Sequence, residues 1–140
     1  MRRQRIIDRY RAPKLNFLLD EHMLWRTGPG AEVMRDQLHH LLRMSVRPNV
    51  SIRVIPDAVG FHRGEQPYHF MDVIDFHPVV HVEDLHWQAF LERGSTMDSY
   101  RRTTAALDRV ALSEGQTRAV LSDVARDLAA KREDSAGPPR

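Results

Sequence analysis

The sequence predicts a domain of the α+β or α/β class: a mixed sheet of three to five strands, a β-α-β start and two C-terminal helices. Three observations predict it. Short apolar or β-branched runs at residues 14–20 (KLNFLLD) and 50–55 (VSIRVI) flank a segment of helical periodicity at 31–45. Alternating segments follow at 68–76 (YHFMDVIDF) and 79–83 (VVHVE). From Ser95 onward apolar residues recur at helical spacing in two blocks.

Residues 1–12 read as a short basic helix, with Ile6, Ile7 and Tyr10 on one side and Pro13 stopping it. The 14–20 run is apolar enough for a strand buried on both faces. Glu21 to Arg26 lead into the breaker Thr27-Gly28-Pro29-Gly30. In the helix that follows, Met34, Leu38, Leu41 and Leu42 form the apolar stripe, and His39 and His40 fall on the polar side. Arg47-Pro48-Asn49 is a turn into the 50–55 strand, which ends at Pro56. Strand, helix and strand in that order imply a right-handed crossover between parallel strands. The next two strands turn at His77-Pro78, and residues 87–91 add a short fifth. Ser95-x-x-Asp98 and Ser113-x-x-Gln116 resemble capping boxes that open the last two helices. Their stripes are Met97, Tyr100, Thr104, Leu107 and Val110, then Val120, Leu121, Val124 and Leu128. Residues 131–140 (KREDSAGPPR) read as a polar disordered tail, so 1–130 are expected to form one domain.

Composition narrows the function classes. At 140 residues, 41% hydrophobic and 29% charged, the chain has the make-up of a globular domain. It has no cysteine, which removes disulfides, thiolate catalysis and sulfur-ligated metals and makes a reducing cytoplasmic setting the expectation. No apolar run is long enough to span a membrane. Residues 1–14 carry +5 and the remainder −3, so the basicity belongs to a leader. A broad nucleic-acid footprint needs positive charge spread over one face, which this division does not supply. Phosphate-binding glycine loops and the G-x-S-x-G elbow are missing, so no nucleotide cofactor or serine hydrolysis is expected.

Five of the eight histidines, His62, His69, His77, His81 and His86, fall within 25 residues. Imidazole serves near neutral pH as acid, base or metal ligand. Strand alternation puts His81 and Glu83 on one face, and pairing of the two strands would bring His69 toward them, with His62 arriving from the GFHRG loop. The same pattern also describes a sheet with one wet face. No metal signature such as H-E-x-x-H accompanies it, and no metal is assigned. Asp20 and Glu21 stand at a strand's carboxyl end, where α/β sheets collect ligands. Helix capping, or pairing with Arg26 or Arg53, is the other reading of them and the favoured one. Trp25 and Trp87 can line a pocket with Phe61 and Tyr68, or can be core.

Several ordered runs resemble a known family: LDEHMLWRTGPGAEVMRDQLHHLL, then RPNVSIRVIP, GFHRG and VVHVEDL. Matching positions include Asp20, Glu21, Leu24, Arg26, Gly30, Arg47, Pro48, Asn49, Pro56, His62, Val82, Glu83 and Tyr100. The resemblance is to an actinobacterial domain of unknown function that follows an XRE-type helix-turn-helix in WhiJ-like transcriptional regulators, and it spans roughly residues 2–130. His81 departs from it, since tyrosine is commoner there. The helix-turn-helix is also absent, the chain being expected to begin within the linker helix. What the resemblance implies is an effector domain that binds a small molecule or a small partner protein, meeting DNA only through a separate helix-turn-helix. A homodimer is compatible with it. The expected ligand-binding residues are Glu21, Trp25, His62, His69, His81 and Glu83. The alternative is a stand-alone small enzyme of a natural-product pathway, with His62, His69, His81 and Glu83 for acid–base chemistry.

Overall fold

The computed structural model describes residues 12–60, 66–72 and 75–135. The leader helix read at residues 1–12, apart from its last residue, lies outside them, as do Phe61 and His62. The elements run β1 (Leu15–Asp20), α1 (Glu21–Leu24), α2 (Ala31–Met44), β2 (Val50–Ile55), a single 3-10 turn (Asp57–Val59), β3 (Tyr68–Met71), β4 (Val79–Glu83), β5 (Gln88–Leu91), α3 (Ser95–Val110) and α4 (Glu114–Ser135). The α+β class, the β-α-β start and the two C-terminal helices are as expected. The five strands, however, divide into two sheets: β1 and β2 parallel, and β3-β4-β5 antiparallel. They belong to two compact units, Met1–Asp57 with Ala111–Arg140, and Ala58–Val110.

In the first unit, β1 and β2 run in register from Leu15↔Val50 to Asp20↔Ile55, with α2 as the crossover. Two parallel strands alone bury too little to persist, so the faces and the open edge must be covered. Leu24, Leu38, Val54, Leu121, Val124, Ala125 and Leu128 form the core, drawing on α1, α2, β2 and α4. The segment that returns to this unit at Ala111 closes the far edge of β2. Leu112 N–H donates to the Val54 carbonyl at 2.8 Å, and Val54 N–H donates to Thr117 Oγ1 at 3.0 Å. Arg53 donates through Nε to the Leu112 carbonyl and through a terminal nitrogen to that of Ala111. Thus β2 is paired on one side by a strand and on the other by a loop and a helix, and Val50, Ile52, Val54 and Ile55 are buried. β1 departs from the expected burial on both faces: Asn16 is exposed and Phe17 is 43% exposed. Among the described residues it has a strand on one side only, and its apolar run is covered in part.

Helix ends in this unit follow two different devices. At α4, Gln116 N–H donates to Ser113 Oγ and Ser113 N–H donates to Gln116 Oε1, the reciprocal capping box read from the sequence. At α2 the N-cap is Gly30, with φ 108° and ψ 145°, whose carbonyl accepts from Met34 N–H. Only glycine adopts that backbone without strain. The α4 helix continues through Ser135, five residues into the segment read as a disordered tail.

The second unit is smaller. Val80 and Val82 of β4 and Met97 of α3 are buried together, flanked by Tyr68, Phe70, Leu91 and Tyr100. β3 is shorter than the 68–76 strand expected; Asp75 has φ 63°, which an extended strand does not accommodate. Thr104 Oγ1 donates to the Tyr100 carbonyl, so its oxygen accepts the Tyr68 hydroxyl at 2.9 Å, tying β3 to α3. The capping box expected at Ser95 is not the device used. Ser95 is already helical, and Gly94 (φ 92°) precedes it, its carbonyl accepting from Asp98 N–H at 3.3 Å. A glycine with positive φ occupies the turn, so Ser95 sits one position too far along to cap. No helix of the described residues is long and apolar enough to cross a membrane.

Candidate functional site

Alternation along β4 turns Val80 and Val82 to the core and Val79, His81 and Glu83 to the other face. The register then decides what stands beside them. His69 of β3 is opposite His81, Phe90 of β5 is opposite His81 on its other side, and Gln88 is opposite Glu83. The outcome is a row of three rings across three strands. His69 and His81 lie 5.8 Å apart, centroid to centroid, with planes 16° apart, and His81 and Phe90 are 4.6 Å apart at 26°. Such spacings fall in the range of favourable ring pairs.

His81 is half-buried between its neighbours, whereas His69 is exposed and Phe90 is 60% exposed. The Nε2 of His81 is 3.4 Å from Gln88 Oε1, so its partner is a neutral amide and not a carboxylate. At the other end of the same strand pair, His77 Nε2 is 3.0 Å from Glu92 Oε2, and its ring stacks on Phe76 at 4.1 Å. Among the described histidines of this unit, His77 is therefore the one hydrogen-bonded to a carboxylate; in the first unit the ring of His22 has Asp57 Oδ1 3.8 Å from its Nδ1. Met71, opposite Val79, completes an outward face that is apolar and aromatic as much as polar.

The expected site residues thus separate. His69 and His81 meet, as alternation and pairing implied. Glu83 shares their face but is exposed and, among the described residues, makes no hydrogen bond or ion pair with either histidine. His62 lies outside the described residues. Glu21 and Trp25 belong to the first unit. Glu21 Oε2 accepts from Asp57 N–H at 3.0 Å, while His22 N–H donates to Asp57 Oδ1 at 3.1 Å, joining the exit of β1 to the loop after β2. Trp25 is the C-cap of α1, its N–H donating to the His22 carbonyl. Trp87 is exposed, and Tyr68 packs on Tyr100 with centroids 4.9 Å apart. Among the described residues no three His, Asp or Glu side chains converge as a metal ligand set.

Reasoning from the sequence passed over Phe90 and Gln88. The signal was present, since Gln88 and Phe90 alternate with Ala89 and Leu91, but their position beside His81 depends on the register of β5. It also passed over a cleft of about 470 Å³ in the first unit, lined by Lys14, Asn16, Arg47, Asn49, Ser51 and Arg118 among others. These come from three separate stretches of chain, so no local spacing marks them. A second groove of about 430 Å³ runs between α2 and α4, past Arg35, His39, Leu42, Ala125 and Ala129.

The chain belongs to the family described as domain of unknown function DUF5753, whose model matches residues 1–123. No curated protein and no solved structure matches it.

Proposed function

For a member of that family, we propose the role of a cytoplasmic effector domain of an XRE-like transcriptional regulator, binding a small protein partner or ligand and acting on DNA only through a separate helix-turn-helix. The observation that carries the binding role is the outward face of the three-stranded sheet. A solvated sheet face ordinarily presents polar residues at alternate positions. Here the row His69–His81–Phe90 and the neighbouring Met71 present rings and a thioether instead, with Phe90 60% exposed. Aromatic and methionine side chains on rigid strands are the usual anchors of protein recognition. The regulator context is supported by the ordered motifs from Asp20 to Tyr100.

The acid–base alternative has less behind it. A catalytic imidazole is normally oriented by a carboxylate in a site that excludes water. His81 has Gln88 beside it, and the row lies on an open sheet face rather than in either cleft described above. The regulators that the chain resembles are often encoded beside a small partner protein, so the test is titration calorimetry of the full chain with the product of such a neighbouring gene. Phe90→Ala and His81→Ala should each weaken binding by tenfold or more, about 1.4 kcal/mol, with the circular dichroism spectrum unchanged. Equal affinity for wild type and both variants, or no complex at all, overturns this reading.

A further inference from the structure

The cleft of the first unit is built where the amino ends of β1 and β2 meet the first turn of α4 and the turn that follows α2. Among the described residues three cations line it, Lys14, Arg47 and Arg118, and one carboxylate, Glu114. The carboxylate is engaged: Ser51 Oγ donates to Glu114 Oε1 at 2.6 Å. That bond is telling, because a glutamate four residues before an arginine on a helix is the favoured order for an ion pair. Glu114 and Arg118 have that spacing, yet the glutamate turns to Ser51. Among the described residues neither the half-buried Arg118 guanidinium nor the Lys14 ammonium has an ion-pair partner.

Capping of α2 gives Lys14 and Arg118 little to do. Three of the last four carbonyls of that helix are already satisfied within the chain: Leu41 by Ser45 N–H, Leu42 by Ser45 Oγ and Met44 by Arg47 N–H. Lys14 and Arg118 together in a concave space, with the side chains of Asn16 and Ser51 around it, raise the local concentration of anions. The volume, about 470 Å³, suits a small organic molecule rather than a single ion. Val46 and Pro48 supply an apolar wall for its body.

We propose that this cleft binds a small organic anion through its phosphate or carboxylate groups, with Arg118 and Lys14 as the principal charged contacts. The site lies wholly within the first unit, and its chemistry stands whether or not the domain serves a regulator. Titration of the full chain, followed by amide chemical shifts, tests it with two probes, inorganic pyrophosphate and citrate. Saturable shifts centred on Ser51 and Arg118 are expected with at least one probe, and the probe that binds assigns the group. Arg118→Gln should raise the Kd about tenfold and Lys14→Gln about threefold to fivefold, the guanidinium being the stronger oxyanion partner. Arg26→Gln, exposed in the same unit beyond the carboxyl end of β1 and outside the cleft lining, should leave it unchanged. Absence of saturable binding with both probes overturns the proposal. So does an equal loss in all three variants, which would mean attraction by net charge alone.

Discussion

Thr117 is the residue on which the edge of β2 depends. Its side chain is fully buried, and its hydroxyl oxygen accepts the Val54 N–H at 3.0 Å. Replacing it by valine keeps the volume and removes only the acceptor. The Val54 amide, itself fully buried, is then left without a partner. An unsatisfied buried donor costs about 1–3 kcal/mol, and a gain in apolar burial offsets part of it, so Thr117→Val should cost about 2 kcal/mol. With a urea m-value of about 1–3 kcal/mol/M, the unfolding midpoint should fall by roughly 1 M at unchanged m. Thr117→Ser supplies the control: it keeps the oxygen and loses one methyl, about 1 kcal/mol. Hydrogen exchange separates the two mechanisms. Relative to the global stability of each variant, protection of the Val54 amide should drop in Thr117→Val and persist in Thr117→Ser. A valine variant as stable as wild type, with Val54 exchange unchanged, would refute the claim that this hydroxyl closes the sheet.

Leu121→Ala, in the middle of α4 and fully buried against Leu38 and Val54, should destabilise the first unit by about 2–5 kcal/mol, read from equilibrium urea unfolding. A loss below about 1 kcal/mol would show that α4 is not packed there. Gly30→Ala places a Cβ at φ 108° with nothing within 4 Å of it, so any cost is backbone strain and not collision. About 1–3 kcal/mol is expected from thermal unfolding, and Gly28→Ala, which has no positive φ to defend, should stay within about 0.5 kcal/mol of wild type.

Much of the candidate face was legible because strand alternation is a property of the backbone itself. Knowing that 79–83 is a strand is enough to set His81 and Glu83 on one side and Val80 and Val82 on the other. That His69 is the residue opposite His81 needed the turn between β3 and β4, and β3 ends earlier than its apolar run suggests. Phe90 completing the row needed the register of β5 as well. Glu83 illustrates the converse: alternation puts it on the face, but its position at the end of β4 puts it opposite Gln88, and among the described residues it bonds to neither histidine. Glu21 looked chemical by its place at a strand end, and its carboxylate accepts a backbone N–H instead.

The sequence by itself determined the local elements: α2 from its apolar stripe, the start of α4 from Ser113 and Gln116, and the inward valines of β4 from their alternation. Each of these rests on interactions between residues no more than a few positions apart, so spacing alone encodes them. Only the tertiary structure decided that five strands make two sheets, and that Leu112 and Thr117 close the edge of β2. Only it brought Lys14, Arg47 and Arg118 to one cleft. Those outcomes join residues up to about a hundred positions apart, and no periodicity announces them. They follow from where buried backbone groups can find partners and where apolar faces can be covered, which the whole chain must satisfy at once.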